Sequence, residues 1–370
     1  MALTFTASAW RDRRVFITGH TGFKGGWLSL WLSSLGARVT GYALPPNTEP
    51  NFFTLAKLAA DTGSTIDDGH NDIRDYRRLL SAMQQAQPEL IFHLAAQPLV
   101  RRSYADPRET YETNVMGTVN LLEAARHTSS VRAVVIVTSD KCYENRHTHT
   151  GYVEDDAMGG HDPYSSSKGC AELVTSAFRK SYFSAAPSKT LVISTSTLIA
   201  SARAGNVIGG GDFSDDRLIP DLLRALSKHQ PATIRYPQAV RPWQHVLEPI
   251  SGYIMLAERL LKAEQSFASA WNFGPADTDS VTVAQIADKL CSLWGHAASW
   301  QQDGNQHAHE ASVLRLNSVK ARTQLAWQAI LPLQTALVLT VDWHNAYLRG
   351  DDMRALSLQQ INDYVQALPT

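Results

Sequence analysis

Cysteine is scarce in this 370-residue chain: Cys142, Cys170 and Cys291 are the only three, and none forms a CxxC pair. So sparse and odd a set excludes a disulfide framework and a cysteine zinc site, and its expected setting is a reducing cytosol. Neither sign of charge dominates. Lys plus Arg number 34 and Asp plus Glu 35, for a net charge of −1 with no long single-sign block. The electrostatic footprint of a nucleic-acid or anionic-membrane binder is therefore missing, and any anionic ligand must be met by local charges. No apolar run approaches the ~18 residues of a membrane helix. The opening M-A-L-T-F-T-A-S-A-W-R has no charged leader before an apolar stretch, so the expectation is a soluble, cytoplasmic protein. His307, His309 and Glu310 share no helical face, and no metal site is expected.

What is present is core-forming material, 44% hydrophobic, arranged as short β-branched runs alternating with segments of helical periodicity. That alternation predicts βαβ units and an α/β fold: a doubly wound parallel sheet of Rossmann type, covered on both faces. Strands are expected at Arg14 to Thr18, Ala37 to Ala43, Leu90 to His93, Ala133 to Thr138, Leu191 to Thr195, Thr233 to Tyr236 and Trp271 to Phe273, at least six of them in one sheet. Helices are expected from about Pro107 to Arg126, Pro163 to Arg179, Ile219 to Lys228, Glu248 to Leu261 and Val283 to Trp294. Trp27 and Trp31, four apart in an apolar helix, read as core. From Ser201 onward the alternation loosens into loops rich in Gly, Pro and Asp. Residues 1–200 are thus expected to form a dinucleotide-binding domain that carries the catalytic groups. Residues 201–370 are expected to form mainly a smaller, discontinuous substrate-binding region, with segments returning to the first domain.

Gly19-His20-Thr21-Gly22-Phe23-Lys24-Gly25-Gly26 follows the first strand and opens the first helix. Glycines spaced three and three let a backbone turn tightly and approach a diphosphate at a helix N-terminus. An acid about 20 residues further on usually holds the adenosine ribose, but the second strand ends Tyr42-Ala43-Leu44-Pro45, with neither Asp nor Glu. Ribose recognition is left unassigned. The lack of Arg or Lys after that strand favours NAD over NADP. Asp72, followed by Ile73, either accepts from the adenine amino group or caps the next helix.

Tyr164 and Lys168 stand four apart, so on a helix they project from one face. A phenol with a pKa near 10 is a weak base at neutral pH. A neighbouring ammonium and an oxidised nicotinamide both favour the phenolate, which lets Tyr164 deprotonate a hydroxyl. Ser139, Asp140 and Lys141 follow the strand from Ala133, at the carboxyl end of the sheet where open α/β sheets keep ligands. A hydroxyl there can hydrogen-bond a reacting oxygen, a carboxyl can protonate a leaving hydroxyl, and an amine can act as a base if its pKa falls.

The glycine turn, His93-Leu94-Ala95-Ala96, Asn114, the Ser139 segment and Tyr164/Lys168 together resemble the extended short-chain dehydrogenase/reductases that act on nucleotide sugars, across nearly the whole chain. Within that family, residues 18–27, residues 93–101, Ser139-Asp140-Lys141, residues 203–212 and residues 241–246 are similar to the branch whose members dehydrate CDP-glucose. The resemblance implies that Gly19, Thr21, Gly22, Phe23, Lys24, Gly25, Asp72, Ile73, Leu94, Ala95, Ala96, Asn114, Tyr164 and Lys168 hold NAD. It implies that Gln97, Asn206, Leu218 and Arg241 bind the CDP-sugar. Tyr164 would then take the proton of the 4-hydroxyl, Ser139 orient that oxygen, and Asp140 assist loss of the 6-hydroxyl. Lys141 stands where related dTDP-glucose dehydratases place a glutamate base. Lys141, a base elsewhere and a bound water all stay open for the carbon 5 proton. In this family, apolar faces on helices such as Asn114 to Ala125 and Ala171 to Phe178 pair across a homodimer.

Two rivals share parts of this pattern. A nucleotide-sugar 4-epimerase uses the cradle, Ser139, Tyr164 and Lys168 but needs no acid to expel the 6-hydroxyl. A non-catalytic dinucleotide sensor would need neither Tyr164 nor Lys168.

Overall fold

The structure is a computed structural model that describes residues 7–62, 71–146, 150–183, 197–276, 279–295, 298–305 and 314–369. In chain order the strands are β1 (Arg14–Thr18), β2 (Arg38–Tyr42), β3 (Leu90–His93), β4 (Ala133–Val137), β5 (Leu198–Ala204), β6 (Asn206–Ile208), β7 (Ala232–Ile234), β8 (Val240–His245), β9 (Ala270–Phe273), β10 (Ser280–Thr282) and β11 (Trp300–Gln302). The longer helices are α1 (Phe23–Ser34), α2 (Tyr76–Ala86), α3 (Gly117–Arg126), α4 (Pro163–Tyr182), α5 (Leu218–Ser227), α6 (Leu247–Leu261), α7 (Val283–Trp294), α8 (Leu333–Arg349) and α9 (Met353–Ala367).

The main sheet runs β2-β1-β3-β4-β5-β9, with every neighbouring pair parallel. The chain starts in the middle, winds outward to β2, then returns to lay β3 on the other side of β1. The β1/β3 boundary is therefore a topological switch point, where a crevice opens beyond the carboxyl ends of the strands. Ala133-Val134-Val135-Ile136-Val137 is buried throughout, as a strand covered on both faces must be.

One face packs α1, α6 and α9 around Trp27, Trp31, Tyr253 and Tyr364, and the other packs α2 and α3 around Leu79, Met83 and Leu121. Helix α1 is buried from Gly25 to Leu32, since a helix apolar all round must be enclosed. Gly36 ends the turn after it with φ +86°, a conformation that favours glycine.

A second assembly stands over the carboxyl edge. β8 lies between antiparallel β10 and parallel β6, and β7 pairs with β11. Ile208, Leu222, Trp243, Ile286 and Leu337 from these strands and α5, α7 and α8 form its core.

The expected main-sheet strands at 14–18, 37–43, 90–93, 133–138 and 271–273 are found with small boundary shifts. Two expectations are corrected or displaced. Thr233 to Tyr236 falls at β7, which pairs with β11 in the smaller assembly rather than with the main sheet. Leu191 to Thr195 lies outside the described residues, and the strand beside β4 is Leu198–Ala204, whose Leu-Ile-Ala-Ser-Ala-Arg-Ala carries a single β-branched residue.

Candidate active site

Gly22 begins α1 with no side-chain cap, so the first backbone N–H groups of the helix stay available to an anion. Gly19 turns with φ +74°, and a Cβ there would sit 2.6 Å from the backbone nitrogen of Ala95. This close approach brings the glycine turn against the end of β3. Thr18 Oγ1 fixes the same junction by accepting from the N–H groups of Leu94 and Ala95, each at 3.2 Å, and it lies 2.7 Å from His93 Nδ1. At Gly25 a Cβ would fall 2.1 Å from the Gly19 carbonyl. The glycines thus perform the tight turn and close packing that a diphosphate cradle needs, and the residues fit a dinucleotide.

A cleft of about 830 Å³ opens over this turn. Among the expected cofactor residues, Gly19, Thr21, Gly22, Phe23, Lys24, Gly25, Asp72, Ile73, Leu94, Ala95 and Ala96 line it, as do Ser139, Lys141, Tyr164 and Lys168. Gln97, Asn206, Leu218 and Arg241 line it as well. Asn114 does not. It sits in a π-turn spanning Glu112–Met116, where its Oδ1 accepts from Gln97 N (2.8 Å) and its Nδ2 donates to Gln97 O (3.0 Å) and Ser167 Oγ (2.9 Å). Asn114 therefore clamps the segment after β3 to α4. The Gln97 side chain is likewise engaged: Nε2 donates to Leu99 O and Thr110 Oγ1, and Oε1 accepts from Leu99 N. Asp72 is gripped by Arg74, whose Nη2 lies 2.6 Å from Oδ2. Burial raises the Asp72 pKa, but the hydrogen bonds from Arg74 outweigh it and leave the carboxyl below its ordinary range.

The catalytic candidates converge where β4 ends. Ser139 Oγ donates to Asp140 Oδ1 (3.0 Å) and accepts from Lys141 N (3.2 Å), while Lys141 Nζ lies 3.4 Å from Asp140 Oδ1. Asp140 is buried behind the residues that line the cleft, and among the described residues its Oδ2 has no hydrogen-bond partner. That oxygen lies 3.3 Å from where a Cβ on Gly205 would be, on the cleft wall. An unsatisfied buried acceptor calls for a partner, and a bound hydroxyl would satisfy it.

Asp162 caps α4 by accepting from Ser165 N, and Tyr164 and Lys168 then follow one turn apart. Burial drives the Tyr164 phenol up to about 12, with its hydrogen bond to Ser139 acting the other way. Burial brings the Lys168 ammonium down to about 8, opposed first by the charge of Glu172. Lys168 Nζ donates to Val137 O at 3.4 Å.

Sequence reasoning missed what lies beneath. Glu172, one further turn along α4, accepts from Thr138 Oγ1 (2.5 Å), Ser201 Oγ (2.7 Å) and Arg203 Nη2 (2.8 Å). The only available signal was the four-residue spacing Tyr164, Lys168, Glu172. Lys24 joins the same cluster: burial, then Arg217 and Lys168, push its pKa down to about 7. Arg217 pairs with Asp212 at 2.8 Å, and its charge also lowers the Tyr164 pKa, so it faces the catalytic end. His307, His309 and Glu310 lie outside the described residues. Among the described residues no group of His, Cys, Asp or Glu could hold a metal ion, and no helix is long and apolar enough to cross a membrane.

The profile of the family described as GDP-mannose 4,6 dehydratase matches residues 16–337. The chain belongs to this family. Within the GDP-mannose 4,6-dehydratase family, the chain is 51% identical over 358 residues to CDP-glucose 4,6-dehydratase of Salmonella typhimurium, covering 97% of this chain and 98% of that protein. It is 24% identical over 349 residues to a dTDP-glucose 4,6-dehydratase of Xanthomonas campestris pv. campestris, covering 89% of this chain and 92% of the relative. The fold matches the crystal structure of DesIV, a dTDP-glucose 4,6-dehydratase from Streptomyces venezuelae with NAD bound. The TM-score is 0.73 at 22% identity, over 92% of this chain and 99% of that one. The epimerase Mth375 of Methanothermobacter thermautotrophicus matches with a TM-score of 0.76 at 22% identity, over 94% of this chain and 96% of that one.

Proposed function

We propose that this protein is an NAD-dependent CDP-glucose 4,6-dehydratase, converting CDP-glucose to CDP-4-dehydro-6-deoxyglucose and water. The relative that is 51% identical end to end supports the substrate. The observation that carries the chemistry is the buried Asp140, with one oxygen unpartnered, beside Ser139, Lys141 and Tyr164.

The glycine turn from Gly19 to Gly25 would hold NAD, which when bound would supply a reversible two-electron oxidation for hydride exchange between carbon 4 and carbon 6 of the sugar. Tyr164 removes the proton of the 4-hydroxyl, and the ammonium of Lys168 favours its phenolate. Ser139 donates a hydrogen bond to the carbon 4 oxygen as it becomes a ketone, which acidifies the proton on carbon 5. A proton passes from the Lys141 ammonium to Asp140 Oδ1, 3.4 Å away; the amine so freed takes the carbon 5 proton, and the Asp140 carboxyl protonates the departing 6-hydroxyl so that it leaves as water. Asn206 and Arg241 grip the diphosphate, where the planar guanidinium suits phosphate oxygens.

We assign residues 1–200 chiefly to the cofactor and catalytic groups and 201–370 chiefly to the substrate, with α6, β9 and α9 returning to the main sheet. The protein works in the cytosol as a homodimer. Exposed Tyr104, Tyr111, Met116 and Leu173 on the helices around 100–126 and 163–182 support that pairing, and a monomeric mass in solution would remove it.

The test uses CDP-glucose deuterated at carbon 4. The expected product carries deuterium in its new methyl group, with loss of water. Recovery of CDP-galactose would establish the epimerase instead, and label lost entirely to solvent would refute the internal transfer.

A further inference from the structure

The wall of the cleft that holds Tyr164, Asn206 and Arg241 also includes Asp216 ahead of α5, Arg235 just after β7, and Arg101. At that wall Asp216 Oδ1 accepts from Arg101 Nη1 at 2.5 Å and from Arg235 Nη1 at 2.9 Å. Arg235 Nη2 also reaches the Asp216 carbonyl at 3.4 Å. Asp216 adopts φ +59°, the left-handed region that non-glycine residues rarely occupy, and such residues concentrate where a site dictates them. Its neighbour Arg217 pairs instead with Asp212, and its charge lowers the Tyr164 pKa.

With the sugar at Tyr164 and the diphosphate at Arg241, the nucleobase must meet another part of the lining, and this charged cluster is part of it. A carboxylate offers only acceptors and a guanidinium only donors, so the pair presents an acceptor beside two donors. Cytosine carries the complement on one edge: an amino donor at N4, then acceptors at N3 and O2. Uracil and thymine present O4 and N3–H instead, which sets acceptor against acceptor and donor against donor in two of the three positions.

We propose that Asp216 and Arg235 are the residues that select the base: Asp216 accepts from the cytosine N4 amino group and Arg235 donates to N3 and O2. Arg101, at the rim, holds Asp216 in place. Two like-against-like oppositions in a partly desolvated wall exclude the wrong base more strongly than a missing contact would. This assignment rests on the CDP-glucose reading and adds to it the origin of the preference.

The experiment compares CDP-glucose with UDP-glucose. The wild-type enzyme is expected to favour CDP-glucose by about 100-fold or more in kcat/KM. In Asp216→Asn, whose side chain can donate to O4, that ratio falls at least tenfold, carried mainly by KM, while bound NAD and the melting profile stay at wild-type levels. Arg235→Gln raises the KM for CDP-glucose with little change in kcat. Inhibition of the unaltered enzyme by free CDP and free UDP gives an independent reading: CDP binds at least tenfold tighter. If the wild type does not turn over CDP-glucose, the functional reading itself fails. If it does, but both variants keep its base preference, or CDP and UDP inhibit equally, the assignment to Asp216 and Arg235 is overturned.

Discussion

Glu248 lies on α6, buried between the main sheet and the C-terminal helices. Its Oε1 accepts from the N–H groups of Ile330 (2.8 Å) and Leu331 (2.6 Å), and its Oε2 accepts from Tyr364 Oη at 2.8 Å. Among the described residues no cation pairs with the carboxylate, and the charge of Asp279 raises its pKa further. Burial therefore raises its pKa from 4.5 to about 7. A carboxyl that holds its proton more tightly when folded stabilises the protein below pH 4.5, and that contribution is lost as the pH rises through 7. At about 1.4 kcal/mol per pKa unit, the loss is about 3 kcal/mol. Glu248→Gln keeps the acceptor for both backbone N–H groups and can donate to Tyr364 without ever ionising. The variant should match the wild type below pH 4.5, where the carboxyl is protonated in both states, and be the more stable by about 3 kcal/mol at pH 8. With an unfolding entropy of about 0.8 kcal/mol/K for a chain this long, that is a gain of about 4 °C in Tm. Urea unfolding of both proteins from pH 4 to 8 measures the difference, and parallel stability curves across that range would refute the reasoning.

Other consequences are equally direct. Glu172→Leu strands the Arg203 guanidinium in the interior and should cost about 3–5 kcal/mol; adding Arg203→Met should restore most of it, and a double variant as unstable as the single would argue against the pairing. Gly19→Ala forces a Cβ onto the Ala95 backbone at positive φ, so co-purified NAD, read from absorbance, should drop at least tenfold; normal content would contradict the cradle geometry. The Lys168 ammonium, with a pKa of about 8, loses its charge as pH rises, so wild-type kcat/KM should decline above pH 8. In Lys168→Arg, which stays charged, that limb should move upward, and an unchanged profile would remove Lys168 from the titration.

The legible parts of this molecule were those with local causes. Val15 to Thr18, Leu90 to His93 and Val134 to Val137 announce strands through β-branched and apolar runs, and the glycine turn announces itself by spacing. Tyr164 and Lys168 follow from helical periodicity alone. What stayed hidden depends on distant partners. Nothing near Leu198–Ala204 signals a central strand, because its small residues suit the packing of α6 and α4 rather than any intrinsic preference. Helices α8 and α9 lie beyond the loops that masked them, and α9 is a helix whose role is to cover α1. Arg217, which pairs with Asp212 and whose charge acts on Tyr164, carries no signal in sequence because both partners are set by the fold. The convergence of Arg101, Asp216 and Arg235 spans more than a hundred residues of chain and carries no local spacing signal.

Between β5 and β6 stands a single residue, Gly205, and between β8 and α6 a single residue, Val246. At these two crossings between the main sheet and the assembly above it the polypeptide has no flexible joint, and Gln244 Nε2 on β8 donates to Phe273 O at the end of β9, tying the assembly to the main sheet. Two short struts side by side resist both twisting and jaw-like opening. Entry and departure of the sugar must then rely on side chains and surface loops at the mouth, leaving the reacting groups in register through every turnover.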